Sequence, residues 1–529
     1  MSQKSHPPGL YVLFFAEAWE RFSYYGMRAL LTLYLVNHLK YTRADALEVY
    51  AIYTGLVYLT PLIGGYLADK VLGARKAIFI GGIVMALGHL AMAFEPLLNT
   101  ALGLLIVGNG FFKPNISTLV GGLYEPGDPR RDGGFTIFYM GINLGAFFSP
   151  LVCGTLGEMV GWHYGFSAAS IGMIAGLMVF FGGQKVIGHT GFPPTAAAGA
   201  DQSGALERRL AGRDWRDIFV YVLACVAFVE IFLRAWKVLG PFWSAQSWGI
   251  KGLIVLAIIF LCQYSSRIFA YASQGSSRAA ASSLADEPLT RNDWERIAVI
   301  CILAVFVIFF WMGFEQAGGT MTLFADNQTD RHFMGYEIPA SFFQSINPLL
   351  IMGMAPLFSM FWTWLAESRY SISTPTKMAI GLITLGIGFV IMYVGQNIAS
   401  AGNHNEVRPF LFTDGYSVWT RDVEVFVYGQ VGPLWLTSVY FFHTAAELCL
   451  SPIGLSMVTK LAPASMVSLF MGVWFLSTAL ANYLAGKLEA LVELYHLPLY
   501  GFLIASSIGA GCVLLCIVPL LKKWMHERA

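Results

Sequence analysis

Four ionisable side chains, Glu17, Glu20, Arg21 and Arg28, fall inside one apolar run, in the stretch E-A-W-E-R-F-S-Y-Y-G-M-R. At roughly 100° per residue, positions 17, 20, 21, 24, 25 and 28 share an arc of roughly 140°, so the charges and the hydroxyls of Tyr24 and Tyr25 lie on one helix face. The opposite face, with Phe15, Trp19, Phe22, Leu30 and Leu33, can meet lipid or neighbouring helices. A charge at the centre of a bilayer costs at least about 2.5–3.5 kcal/mol even on the lenient insertion scale. Such a stripe fits a helix that lines a wet cavity, where the charges can move protons or hold an ionic substrate. The blander reading is a structural helix whose charges pair with neighbours.

Few other ionisable groups lie mid-span. In the first half there is Lys113, in G-N-G-F-F-K-P-N, with Pro114 removing a backbone donor beside it. In the second half there are Glu315, in W-M-G-F-E-Q-A-G-G, and Glu447, in T-A-A-E-L-C-L-S-P, with Ser451 one turn on and Pro452 beyond. The first half thus offers cations and the second carboxylates. A zwitterion between the halves would find a cationic wall for its carboxylate and an anionic wall for its ammonium. The same charges can also pair across the interface and act as gates, with Arg28, Glu315, Lys113 and Glu447 as candidates. Tyr58, Tyr139, Asn143, Asn347 and Trp474 are further polar or amphipathic side chains in apolar spans, and Gly141 and Gly145 around Asn143 permit a close helix approach.

The elements that position these residues follow from composition. Of 529 residues 56% are hydrophobic and 12% charged, about half the charged share of a soluble domain, and glycine is plentiful at 55. This is an all-α polytopic membrane protein. The net charge of +1 points to no nucleic-acid partner. Seven cysteines, none in a C-x-x-C pair, suggest neither disulfides nor a metal site and are expected as small buried hydrophobes. Nothing calls for a cofactor. The N-terminus lacks a basic n-region and a cleavage site, so the first helix is expected to stay.

With about 20 apolar residues per span, helices are expected near 10–36, 48–68, 76–94, 101–120, 136–157 and 164–183. Two more are expected near 216–236 and 248–271, between the polar linkers 188–214 and 273–291. Six others are expected near 296–324, 340–363, 376–397, 428–458, 466–488 and 498–521. The organisation is a bundle over 1–187, an insertion over 188–295 and a second bundle over 296–529, about 14 transmembrane helices in all. Lys70, Arg75, Lys76, Arg130, Arg131, Arg208, Arg209, Arg213, Arg216, Arg278, Arg291, Arg296, Arg369, Lys377, Lys460, Lys522 and Lys523 fall on one side. Lys40, Arg43, Arg331, Arg408 and Arg421 on the other are fewer and largely offset by acidic residues, so both termini are expected in the cytoplasm. Asp69, Lys70, Arg75 and Lys76 read equally as a cytoplasmic latch or as topology signals, and Lys487, Glu489 and Glu493 as interfacial charges. Two similar halves suggest a transporter with its site at the midplane. There is no H-E-x-x-H and no G-x-S-x-G, so an enzyme is not indicated, and no repeated charged ring argues for a channel.

The motifs resemble those of proton-coupled oligopeptide transporters of the major facilitator superfamily, in particular bacterial members. The resemblance rests on E-x-x-E-R-F-x-Y-Y-G (Glu17–Gly26), G-G-Y-L-A-D-K-V-L-G (Gly64–Gly73) and F-T-I-F-Y-M-G-I-N-L-G-A-F (Phe135–Phe147). F-F-K-P-N, F-Q-S-I-N-P (Phe343–Pro348) and E-L-C-L-S-P (Glu447–Pro452) extend it to both halves. It implies alternating access, with di- and tripeptides and protons imported together across the cell inner membrane. By that resemblance Arg21 and Lys113 hold the peptide carboxylate and Glu447 its amino terminus. Asn143 and Asn347 bind its ends or backbone, while Tyr24, Tyr25, Tyr58 and Trp474 shape side-chain pockets. Glu17, Glu20, Arg21 and Glu315 take part in proton coupling, and Arg28 pairs with Glu315 on the extracellular side. Phe314 stands where some members carry a second acid, leaving one carboxylate at that point. Nitrate or a modified amino acid is the alternative substrate on the same scaffold, although Glu447 facing cations favours an ammonium.

Overall fold

In the computed structural model the described residues are 5–192 and 290–526, less 126, 189, 368–371, 414–417, 451–453 and 464–465, together with residue 227. The expected helices at 216–236 and 248–271 and most of both linkers lie outside the described residues, as do Ser451 and Pro452.

Twelve long helices are described. The first six are α1 (Gly9–Leu33), α2 (Arg43–Leu67), α3 (Ala74–Ala91), α4 (Leu98–Gly122), α5 (Arg131–Gly154) and α6 (Trp162–Gly182). After the insertion come α7 (Arg291–Phe314), α8 (Ile346–Glu367), α9 (Thr374–Ala401), α10 (Pro433–Leu450), α11 (Val467–Leu494) and α12 (Leu499–Met525). Nine of the described helices are long and apolar enough to cross a membrane. The three that fall short, α1, α4 and α10, carry the Glu17–Arg28 stripe, Lys113 and Glu447. The groups that could do chemistry are what depress the hydropathy of their helices.

One large apolar cluster is built mainly from α1–α6 and another mainly from α7–α12 with Leu33 and Leu47 added, and a smaller third one joins α3 and α4 around Ala77, Ile80, Val107 and Phe111. In the first half α1 packs on α5 and α6, and α4 on α2 and α3; in the second, α9 packs on α10 and α12, and α7 on α11 and α12. The halves meet through α2 against α11 and α5 against α8.

Glycine makes the tight crossings possible. Gly145 on α5 sits directly over the Ala18 carbonyl of α1, and Gly141 against Phe14. A Cβ at either position would force the helices apart, so the small-residue spacing works as expected. Pro114 on α4 does not break that helix, which runs through it. Its ring cannot donate to the Gly110 carbonyl, and Gly64 of α2 packs closely against that same carbonyl.

Two departures from the sequence expectation have clear causes. The span expected at 296–324 is interrupted: α7 ends at Phe314, Glu315–Gly318 forms a 3₁₀ turn, and a short helix resumes at Thr320–Asn327. The Gly318–Gly319 pair supplies the break. The stretch before α10 holds an antiparallel hairpin, β3 (His404–Thr413) paired with β4 (Val418–Val427), beyond a smaller one formed by β1 (His332–Phe333) and β2 (Tyr336–Glu337). Alternation in V-W-T-R-D-V-E-V-F-V is the signal that could have revealed the larger hairpin.

Candidate functional site

The stripe on α1 is buried as a unit. Glu17, Glu20, Arg21, Tyr24 and Arg28 are all buried. Arg21 Nε donates to Glu17 Oε1 at 2.7 Å and lies 2.7 Å from Glu20 Oε2, so one guanidinium is shared by two carboxylates. The sharing is incomplete: Glu17 Oε2 and Arg21 Nη2 have no hydrogen-bond partner among the described residues. Glu20 Oε1 accepts from Asn109 Nδ2 of α4 at 3.5 Å. A buried polar atom left unpaired costs about 1–3 kcal/mol, so this cluster is held at a cost.

Two turns further along α1, Arg28 pairs with Glu315 at the interruption of α7. Its Nε donates to the Tyr50 hydroxyl of α2 at 2.6 Å. Tyr50 fits only because Gly318 lacks a side chain where its hydroxyl lies. The Thr32 hydroxyl donates to the Gly318 carbonyl at 2.8 Å, which the broken helix leaves free. One ion pair thus ties three helices from two halves.

Lys113 is half-buried, its Nζ 4.1 Å from the centre of the Tyr58 ring. On the other half Glu447 accepts from Asn347 Nδ2 of α8 at 3.0 Å, and the same amide reaches the Thr444 hydroxyl at 3.0 Å. Lys113 and Glu447 therefore do not pair with each other here: each is occupied within its own half. Asn143 is buried and donates to the Tyr139 carbonyl one turn back. Trp474 is buried on α11, Tyr24 packs edge-on against Tyr25, and the Tyr24 hydroxyl has no partner among the described residues.

Several functional contacts were missed by sequence reasoning. Lys487 and Glu489 are not merely interfacial: Lys487 pairs with Glu48, and Glu489 with Arg43 at 2.5 Å, bracketing α11 to α2. Glu158 accepts from the backbone N–H groups of Ala340 and Ser341 at 2.7 and 3.0 Å, closing α5 onto the start of α8. Asn37 donates to Asp326 at 2.9 Å. Charged residues near helix ends are ordinary, so their type gave no signal. The cross-half hydrogen bonds and ion pairs named here run from the level of Arg28 toward the C-terminal end of α1, or join Phe147 and Ser345 nearby. Arg75 does not bridge the halves: it donates to the carbonyls of Gln184, Gly188 and Thr190 in its own. Cysteines 301, 512 and 516 are exposed rather than buried, on helices whose outer faces are apolar, whereas Cys153 and Cys449 are buried as expected.

The α2–α11 bracket makes an immediate prediction. Lys487→Glu places like charges together and is expected to raise labelling of Thr32→Cys by a membrane-impermeant maleimide by roughly 2- to 5-fold, the scale of a partly exposed ion pair. Adding Glu48→Lys restores the pair and is expected to return labelling to the level of Thr32→Cys alone. Equal labelling in all three proteins would show that the bracket does not hold the halves together at this end.

Two six-helix bundles, with a buried charge stripe where they meet and a broken helix facing it, define a polytopic transporter of the major facilitator fold. The chain belongs to the POT family, whose signature matches residues 75–199 and 276–501. It is 36% identical to the peptide transporter YePEPT of Yersinia enterocolitica, over 97% of this chain and 94% of that one. It is 33% identical to a di-/tripeptide transporter of Lactococcus lactis, over 98% and 97%. A crystal structure of a mutant POT peptide transporter in complex with alafosfalin superposes with a TM-score of 0.75 at 33% identity, covering 100% of this chain and 97% of that one.

Proposed function

We propose that this chain is a proton-coupled symporter that imports di- and tripeptides across the cell inner membrane by alternating access. The observation that carries the reading is the division of charge: Arg21 and Lys113 on one half, Glu447 on the other, with the cross-half contacts gathered at one end. Arg21, whose Nη2 has no partner among the described residues, and Lys113 take the peptide carboxylate, and Glu447, steadied by Asn347, takes the ammonium. Asn143 and Asn347 engage the peptide ends or backbone. Tyr24, Tyr25, Tyr58, Trp474 and Ser451 shape the side-chain pockets, Ser451 on sequence grounds alone. The Lys and Arg bias puts both termini in the cytoplasm, so the sealed end is extracellular and this state faces inward. The working units are 1–187 and 296–529, joined by 188–295.

The coupling follows from charge. Protonating Glu20 or Glu17 cancels one of the two carboxylates that share Arg21 and frees the guanidinium for the peptide carboxylate. Protonating Glu315 cancels its attraction to Arg28, loosening the outer seal and biasing the halves toward an outward-facing state. A membrane potential contributes about 2.3 kcal/mol per charge per 100 mV toward inward proton movement. Glu20→Gln and Glu315→Gln are each expected to abolish proton-driven accumulation of labelled dialanine in liposomes while retaining exchange across vesicles loaded with unlabelled dialanine. Uphill transport at the wild-type level in both variants would refute these assignments.

A further inference from the structure

Away from the interface, α8, α9 and α10 enclose an apolar crevice of about 360 Å³, lined by Leu357, Phe361, Trp362, Ile380, Thr384 and Cys449, among others. Cys449 lies two residues from Glu447, roughly 200° around α10, so the crevice opens on the side away from that carboxylate. The Thr384 hydroxyl donates to the Ile380 carbonyl at 2.8 Å, so it already has its acceptor within α9. Leu357, Phe361 and Trp364 stand exposed on the adjoining surface of α8. The crevice is therefore a slot for hydrocarbon.

Its mouth is not apolar. Lys377, in the first turn of α9, holds its Nζ 4.6 Å from the centre of the Trp362 ring. Lys377, Ile380 and Thr384 follow one another at i, i+3 and i+7, so cation and slot share a helix face. Among the described residues Lys377 has no ion pair, and the buried Trp362 Nε1 has no hydrogen-bond acceptor. The α9 N-terminus adds positive partial charge at the same place. An ammonium and an unsatisfied indole N–H side by side, above a slot sized for alkyl chain, match one ligand chemistry: an anion covalently joined to hydrocarbon.

We propose that this crevice binds one anionic phospholipid, its phosphate on Lys377 and Trp362 Nε1 and an acyl chain between α8 and α9. The Lys and Arg distribution assigns Lys377 to the cytoplasmic side, so the lipid comes from the inner leaflet. It wedges α8 against α9 on the outer surface of the second half, without touching the peptide-binding groups.

Delipidated wild-type protein titrated with dioleoyl phosphatidylglycerol or dioleoyl phosphatidylcholine and read by native mass spectrometry tests this. The wild type is expected to retain one phosphatidylglycerol at about 5-fold lower concentration than phosphatidylcholine, the scale of one basic side chain at a lipid surface. Lys377→Gln is expected to erase that preference, and Trp362→Phe, which keeps the ring and removes the N–H, to reduce it. Thr384→Phe fills the slot and is expected to abolish retention of both lipids, while soluble glycerol phosphate does not compete. Unchanged preference in Lys377→Gln, wild-type retention in Thr384→Phe, or displacement by glycerol phosphate would each overturn the proposal, leaving annular lipid or a simple anion contact in its place.

Discussion

Arg28→Ala and Glu315→Ala are each expected to reduce dialanine uptake by roughly two orders of magnitude, and the double variant by no more than the worse of the two. Both side chains are buried and face each other across the halves. Removing one partner of a buried pair typically costs about 3–5 kcal/mol because the other charge is stranded. Removing both strands nothing, although Tyr50 loses the donor that its hydroxyl receives from Arg28. Arg28→Lys is not a conservative change here, since a point ammonium cannot serve Glu315 and Tyr50 together with the guanidinium's geometry. Uptake in the single and double variants, measured at equal protein per liposome, gives the coupling directly. Multiplicative losses, with no interaction energy, would contradict it.

Glu447→Gln is expected to weaken free dipeptides roughly 10- to 100-fold while leaving N-acetylated dipeptides nearly unchanged. A charge-assisted hydrogen bond contributes on the order of 1.5–3 kcal/mol, at about 1.4 kcal/mol per decade of affinity. The acetylated ligand has no ammonium to lose. Lys113→Ala is expected to mirror this result, penalising free peptides more than C-terminally amidated ones. Asn347→Ala serves as an internal check, because its amide bridges Glu447 and Thr444 and its removal takes away the donor that steadies the Glu447 carboxyl group. Competition against a labelled dipeptide reads all four proteins. If each variant loses free and blocked peptides equally, the two anchors are assigned wrongly.

The helical architecture was legible because bilayer physics is strict: about 20 apolar residues are needed per span, and the observed helices follow the hydropathic runs. The α1 charges were legible as a buried, paired group for the inverse reason, since four charges on one face of an apolar helix have no cheap explanation. Glu158, Arg43, Glu48, Lys487 and Glu489 were not legible as contacts between the halves. They sit at helix ends, where charge is unremarkable, and only their cross-half partners give them meaning. The interruption of α7 at Glu315 was hidden because Gly318 and Gly319 are also common packing residues in membrane helices. The exposed cysteines follow from the solvent: a thiol facing lipid is as well placed as one in the core. Lys113 and Glu447 show the limit of reading charges by sign. Opposite charges in facing halves need not meet, and here Lys113 lies over the Tyr58 ring while Glu447 accepts from Asn347.

Proton coupling of peptide movement is tested most directly by labelled dialanine in proteoliposomes, with an inward proton gradient and with or without a proton ionophore. Accumulation above the external concentration is expected with the gradient, and its collapse with the ionophore, while counterflow driven by internal unlabelled dialanine persists in both conditions. Accumulation that ignores the ionophore, or the absence of any dialanine counterflow, would contradict the account.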